Sequence, residues 1–183
     1  MSSSLRFVRQ AVGAGVVTAL LVVSAVSSAW SQDDPNRDAT REKVRSTLRS
    51  SGPKINVSFQ QSQANPYNFS GSMKDGLVNA ESMEIIVMVG RNDILTVRVF
   101  PHVAGNSYIN VDRAANSTGL MRKLLANNSG DFFHWGMDDV YDVFAEFTFT
   151  LESGFPQESL DVVLRSVELL DKKVGEMALL IGR

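Results

Sequence analysis

Hydrophobic and polar residues alternate between residues 140 and 151. The positions on one side of this stretch are all apolar: Val143, Ala145, Phe147 and Phe149. A period of two is typical of a strand with one buried face. We therefore predict a strand here, paired in a hairpin with residues 132–137 across a turn at Asp138 and Asp139.

After a break at Gly154, Phe155 and Pro156, the pattern changes to a helical period. The apolar positions then recur every three or four residues: Leu160, Val163, Leu164, Val167, Leu170, Val174, Met177, Ala178 and Ile181. This spacing predicts one long amphipathic helix at the C-terminus. Its apolar stripe needs a sheet face to cover, and the alternating strands before it provide one.

Similar patterns predict the other elements. In chain order they are a helix over 40–50, a strand over 55–60, either a short strand or a lead into the turn at 74–76 over 68–73, a hairpin over 83–99 that ends at Pro101, and a helix over 113–127. The order α-β-β-β-α-β-β-α indicates an α+β fold. We expect an antiparallel sheet of about five strands with helices packed on one face, forming a single domain over residues 40–183. A flexible tether is predicted for residues 32–39.

Residues 1–31 have the composition of a secretory signal peptide. Arg6 and Arg9 precede an uncharged apolar stretch, and small residues follow it. Cleavage after Ala29 or after Ser31 fits the small-residue rule. The alternative is a retained membrane anchor, because residues 11–29 nearly reach the roughly 20 residues that span a bilayer. Both alternatives place the remaining chain outside the cytoplasm, and we expect a periplasmic or secreted protein.

Composition excludes several classes of function. The 183-residue chain has a formal charge of −2 and no cysteine. An acidic balance argues against a nucleic-acid partner, which requires a clustered positive surface. Without cysteine there is no disulfide and no thiolate catalysis. Gly-rich phosphate loops and nucleophile elbows are also absent from the sequence, so we expect no cofactor and no enzyme activity.

A family resemblance rests on the second half of the chain. LMRKLLAN at residues 120–127 is followed by GDFFH at 130–134, the strand at 140–151 and the closing helix from Pro156. In this order these segments resemble the YbjN-like bacterial family, which shares the type III secretion chaperone-like fold. The resemblance implies a small binding or adaptor domain, often dimeric, with no cofactor and no catalytic residues. Because secretion chaperones are cytosolic and this chain begins with an export signal, exported YbjN-like domains are the closer comparison.

A small envelope hydrolase or metal-dependent enzyme is the alternative function. It would use His134 with Asp138 or Asp139 across the hairpin turn, and His102 could join them. Zinc requires three or four converging ligands, whereas adjacent Asp residues at a turn are usually solvated. We therefore assign no metal ligand and no catalytic residue.

Aromatic residues are concentrated in the second hairpin. If Phe147 and Phe149 lie under the helices, Phe144 lies on the opposite face of the sheet. Exposed aromatic side chains on a sheet are typical of a partner interface or a dimer seam. The candidate partner-binding residues are Phe133, Trp135, Tyr141 and Phe144. The alternative is that the tether or a displaced helix covers these rings.

Together these patterns predict an exported, non-catalytic protein-binding or chaperone-like domain. It is expected to act through a sheet face and the C-terminal helix, with a protein partner and self-association into a homodimer. A membrane contact is expected only if the signal segment is retained as an anchor.

Overall fold

The computed structural model describes residues 35–182, which fold as four α-helices on one antiparallel sheet. The helices are α1 (Pro35–Ser51), α2 (Ser117–Asn127), α3 (Gln157–Ser166) and α4 (Leu169–Ile181), with a 3₁₀ turn at Gly52–Ile55. The strands are β1 (Gln60–Gln61), β2 (Asn68–Met73), β3 (Ser82–Val89), β4 (Ile94–Val103), β5 (Ser107–Tyr108), β6 (His134–Met137) and β7 (Val143–Thr150). The sheet order is β1-β2-β3-β4-β7-β6, and β5 pairs with the end of β4. The predicted α+β class and antiparallel sheet are confirmed, and the order of helices and strands broadly agrees.

The two faces of the sheet differ in burial. On β3 the fully covered side chains are Met83, Ile85, Val87 and Val89, and the partly exposed ones are Glu84, Ile86 and Met88. The strand register extends this division, because Ile85 lies opposite Val99 and Val99 lies opposite Ala145. We call the covered side the inner face and the other side the outer face. The helices pack on the inner face and bury, among others, Val44, Leu120, Leu164 and Val174 in one core.

The first helix begins earlier than predicted and includes residues 35–39 of the predicted tether. Proline is favourable in a first helical turn, where its missing N–H is not needed. Arg37 then donates two hydrogen bonds to the carbonyl oxygen of Val89, at 3.0 and 2.8 Å. Tyr67 donates to Asp38 at 2.9 Å. These side chains anchor the start of α1 to the end of β3. The described residues 35–182 all belong to one compact unit.

The strand predicted over residues 55–60 is wrong, and only Gln60 and Gln61 are paired. Asn56 adopts a left-handed conformation with φ of 54°. This allows Val57 to donate its N–H to the carbonyl of Gly52 at 2.9 Å. The chain is therefore closed into a turn where the alternation of residues had indicated an extended segment.

The prediction that Pro101 ends its strand is also wrong, because β4 continues to Val103. The carbonyl of Pro101 accepts the N–H of Ile109 on the side away from β3. The carbonyl of Ile109, which a non-proline residue at 101 could have bonded, instead accepts the N–H of Val143 at 2.8 Å. Proline is tolerated at such positions.

The predicted C-terminal helix is two helices, α3 and α4. At the junction the N–H of Val167 donates to the carbonyl of Leu164, and the N–H of Leu170 donates to the carbonyl of Val167. Both bonds have a three-residue spacing, which is tighter than the four-residue spacing of an α-helix. The hydroxyl of Ser166 also donates to the carbonyl of Val162 at 2.9 Å. Such hydroxyl-to-carbonyl bonds often bend helices. Within residues 35–182, no helix has the length and apolar character needed to cross a bilayer.

Candidate protein-binding surfaces

The outer face of the sheet carries aromatic, aliphatic and charged side chains side by side. Its members include Ile86, Met88, Thr96, Arg98, Phe100, Phe144 and Glu146. The rings of Phe100 and Phe144 meet edge to face, with centroids 5.8 Å apart. Gly136 lies beneath the second ring, and a Cβ there would come within 2.9 Å of it. Because Gly136 has no side chain, the Phe144 ring can occupy the space above it.

An ion pair in the middle of the outer face fixes the position of Phe144. Arg98 donates from Nε to the carboxylate of Glu146 at 2.7 Å. The Arg98 guanidinium carbon lies 4.0 Å from the centroid of the Phe144 ring, which is close enough for a cation–π contact. Arginine beside aromatic rings is a composition enriched at protein interfaces.

The four candidate residues from the sequence do not form one surface. Phe133 and Trp135 are only 3% and 4% exposed and belong to the core. Trp135 lies opposite Ala145, so the alternation of β6 directs it to the inner face. Phe144 lies on the outer face, as predicted. In the folded chain, Phe133 and Trp135 therefore do not contribute to the surface expected from the sequence.

Tyr141 occupies a strained position in the loop between β6 and β7. Its φ is 66°, a left-handed conformation that bulky residues rarely adopt. Its carbonyl accepts the N–H of Val111 at 2.9 Å. The carboxylate of Asp138 accepts the N–H groups of Val140 and Asp142, at 3.1 and 2.9 Å. These bonds hold the loop in place while the Tyr141 side chain remains exposed.

The residues of the metal or hydrolase alternative are not assembled. His134 starts β6 and Asp138 follows its end, and four residues of a strand span about 13 Å. One metal ion held at about 2 Å from each ligand cannot bridge that distance. Asp138 is engaged in the loop, and His102 lies on β4. In the described range of residues 35–182, no group of three or more His, Asp or Glu side chains could hold a metal ion.

His102 instead belongs to a polar cluster at one end of the outer face. Its Nδ1 lies 3.2 Å from Asn106, which also accepts the hydroxyl of Ser82 at 2.8 Å. Its Nε2 is 3.6 Å from Glu84. Tyr108 donates to the same Glu84 at 2.7 Å, and this bond raises the pKa of Tyr108 to about 12. A cleft of about 410 Å³ adjoins the cluster.

An apolar groove of about 560 Å³ lies at the junction of α3 and α4. Three large exposed side chains contribute to it: Val78, Phe132 and Leu169, which are 87%, 48% and 66% exposed. Lys173 donates to Asp131 beside the groove at 2.9 Å, and this bond raises the pKa of Lys173. Sequence reasoning missed this groove because its walls come from three distant segments.

The outward side of α4 carries exposed residues that recur every three or four positions. The exposed positions of Leu169–Ile181 are Leu169, Lys172, Glu176 and Leu179, a set that we call the α4 stripe. Glu176 accepts a hydrogen bond from Lys123 of α2 at 2.8 Å, and this contact lowers the pKa of Glu176. Leu179 is 86% exposed. The three- and four-residue spacing of the stripe was available in the sequence.

The described part of the chain is thus a small α+β domain whose helices leave one sheet face open. No family model and no curated protein matches the chain. Among solved structures it resembles YbjN from E. coli, described there as a candidate transcription regulator. The TM-score is 0.47 and the sequence identity 12%, over 75% of this chain and 89% of that chain.

Proposed function

We propose that this chain is an exported, non-catalytic protein-binding domain of the adaptor or chaperone-like kind. A protein partner binds its outer face around Phe144, and the outward side of the C-terminal helix takes part in self-association. The observation that carries the proposal is the outer face, which no helix covers and where the half-buried Phe144 and Arg98 lie in contact above the buried ring of Phe100.

Physical chemistry favours a protein as the occupant of this face. A contiguous aromatic and aliphatic surface in water is unfavourable, and on a folded chain it commonly marks an interaction site. The Arg98–Glu146 pair supplies polar groups that give orientation to such a contact. Aromatic and arginine side chains are also the residues that most often dominate binding energy at interfaces.

Capture of partner proteins from a cell-envelope extract tests this function. Phe144→Ser removes the central ring, whereas Leu125→Ser removes an exposed apolar side chain from α2 and serves as the matched control. We expect the wild type and the control to retain the same proteins and Phe144→Ser to lose them, with all three folded by circular dichroism. Equal retention by all three would contradict the proposal.

Export is tested separately, because residues 1–31 lie outside the described residues. The intact mass of the chain recovered from fractionated cells distinguishes the alternatives. A start at Trp30 or Gln32 in the periplasm or medium supports cleavage, and a full-length chain in the membrane fraction supports a retained anchor. A full-length chain in the cytosol would contradict export.

A further inference from the structure

The α4 stripe is self-complementary about a two-fold axis. Its residues follow a spacing of three, four and three, so they lie along one side of the helix. Leu169 and Leu179 are the ends, and Lys172 and Glu176 are the middle. Both the leucine pair and the charged pair are centred on position 174. Two antiparallel copies of α4 would therefore place leucine against leucine and lysine against glutamate.

We propose that α4 pairs antiparallel with α4 of a second copy of this chain. In that arrangement Leu169 contacts the partner's Leu179, and Lys172 faces the partner's Glu176. The two-fold symmetry gives each contact twice, as an isologous interface requires. The inference rests on the self-association in the proposed function and names the surface that carries it.

Charge distinguishes this arrangement from a parallel one. In a parallel pair Lys172 would face its own counterpart, and Glu176 would do the same, so like charges would be opposed. In the antiparallel pair each charge faces its opposite. Glu176 already binds Lys123 of its own chain, Lys173 and Lys172 of that chain also lower its pKa, and the partner's Lys172 adds a further cation near that carboxylate.

The apolar groove gives the partner's Leu179 a place to bind. Leu169 belongs both to the α4 stripe and to the groove, where Val78 and Phe132 are also exposed. The stripe is about 15 Å long, at 1.5 Å per helical residue. Pairing in this register brings the partner's Leu179 beside Leu169 at the groove. It thereby covers two of the most exposed leucines of the described chain, which otherwise face water.

Size-exclusion chromatography with light scattering on residues 33–183 tests the pairing, over about a hundredfold range of concentration. We expect a wild-type dimer, and Leu179→Asp should be monomeric while keeping its circular dichroism spectrum. Val140→Asp places the same charge on an exposed apolar loop residue and should remain dimeric. Lys172→Glu should weaken the dimer roughly tenfold, and adding Glu176→Lys should recover most of that loss.

Disulfide trapping tests the register directly, because the chain contains no cysteine. A Leu169→Cys/Leu179→Cys variant should form covalent dimers on mild oxidation, and each single variant should not. A wild type that is monomeric throughout, or a dimer that survives Leu179→Asp, would overturn the α4 pairing. A dimer lost by Phe144→Ser instead would place self-association on the outer face. Loss of envelope partners in the capture experiment is a separate outcome that tests the proposed function.

Discussion

Asp171 connects the segment between β2 and β3 to α4, and its replacement is the most informative test of the fold. The side chain is 7% exposed. One carboxylate oxygen accepts the N–H groups of Asn79 and Ala80, at 2.9 and 2.7 Å. The other accepts the N–H of Val78 and the side-chain amide of Asn79, both at 3.0 Å. Asp171→Asn keeps the shape but turns one acceptor into a donor that faces these groups.

The magnitude follows from the donors that would lose their acceptor. A buried donor left unsatisfied destabilises a fold by about 1–3 kcal/mol. The remaining oxygen of the asparagine can still accept the N–H groups of Asn79 and Ala80, which share one carboxylate oxygen. Its NH₂ group then faces the N–H of Val78, which is exposed and can bond water, and the side-chain amide of the half-buried Asn79. One unsatisfied donor and the loss of charge-assisted hydrogen bonds predict a loss of about 2 kcal/mol for Asp171→Asn. Asp75→Asn, the same change at an exposed residue of the same connection, should stay within about 0.5 kcal/mol of wild type.

The stabilisation that Asp171 contributes should decrease at low pH. Burial raises the pKa of Asp171, but the hydrogen bonds from Ala80, Val78 and Asn79 outweigh it and hold the pKa below its usual value. The charged carboxylate therefore contributes its full stabilisation above the unfolded pKa of about 3.9. That contribution is lost as the pH falls through the lower folded pKa. The difference between wild type and Asp171→Asn should therefore shrink as the pH falls below about 4.

Urea unfolding of residues 33–183 measures both effects. Trp135 is the one tryptophan in this segment and is buried, so its fluorescence reports the transition. The role assigned to Asp171 would be refuted if the unfolding free energy of Asp171→Asn were within about 1 kcal/mol of wild type at neutral pH and if both proteins lost stability equally below about pH 4.

Three further predictions concern the sheet. The Asn128 side chain donates to the carbonyl of Trp135 and accepts its N–H, so it occupies the free edge of β6. Asn128→Ala should lower the unfolding free energy by about 1–2 kcal/mol. It should also increase light scattering from aggregates, because the edge strand is uncovered. Unchanged stability and scattering would contradict this role. Glu84→Gln should shift the Tyr108 transition in an ultraviolet pH titration from about 12 toward about 10, and an unmoved transition would show that the Glu84 bond is not the cause. Gly136→Ala should destabilise the chain by about 1 kcal/mol or more, measured by urea unfolding, because the new methyl group meets the Phe144 ring; a neutral result would contradict the tight contact.

The alternation of residues predicted the strand after residue 140 and the face of Phe144, and a nearly continuous apolar run predicted the strand over 84–89. Val97, Phe147 and Val87 share one row of the sheet and are apolar throughout, so one register alone places them all on the inner face. Where local backbone chemistry decided the outcome, the same reasoning failed. Asn56 adopts a left-handed conformation that closes a turn. At Val167, hydrogen bonds with three-residue spacing separate two helices, although the apolar spacing had predicted one continuous helix.

The surfaces were harder to predict than the fold. Phe133 and Trp135 were selected for aromatic character, but both are buried. The burial of Trp135 depends on the register of β6 against β7, which places it opposite Ala145. The apolar groove joins Val78, Phe132 and Leu169, which are far apart in the chain. In contrast, the outward leucines of α4 could have been identified from their spacing, once the inward stripe of the same helix was assigned.

In-cell photo-crosslinking from the outer face tests whether a protein binds there. A photoreactive phenylalanine analogue is placed at Ile86, a β3 position in the middle of that face and across from Arg98. We expect a discrete crosslinked adduct with a different protein, abolished by Phe144→Ser and retained with Leu125→Ser. A correctly localised, folded chain that forms no adduct from Ile86, or one whose adduct is unaffected by Phe144→Ser, would contradict the claim that this face binds a protein partner.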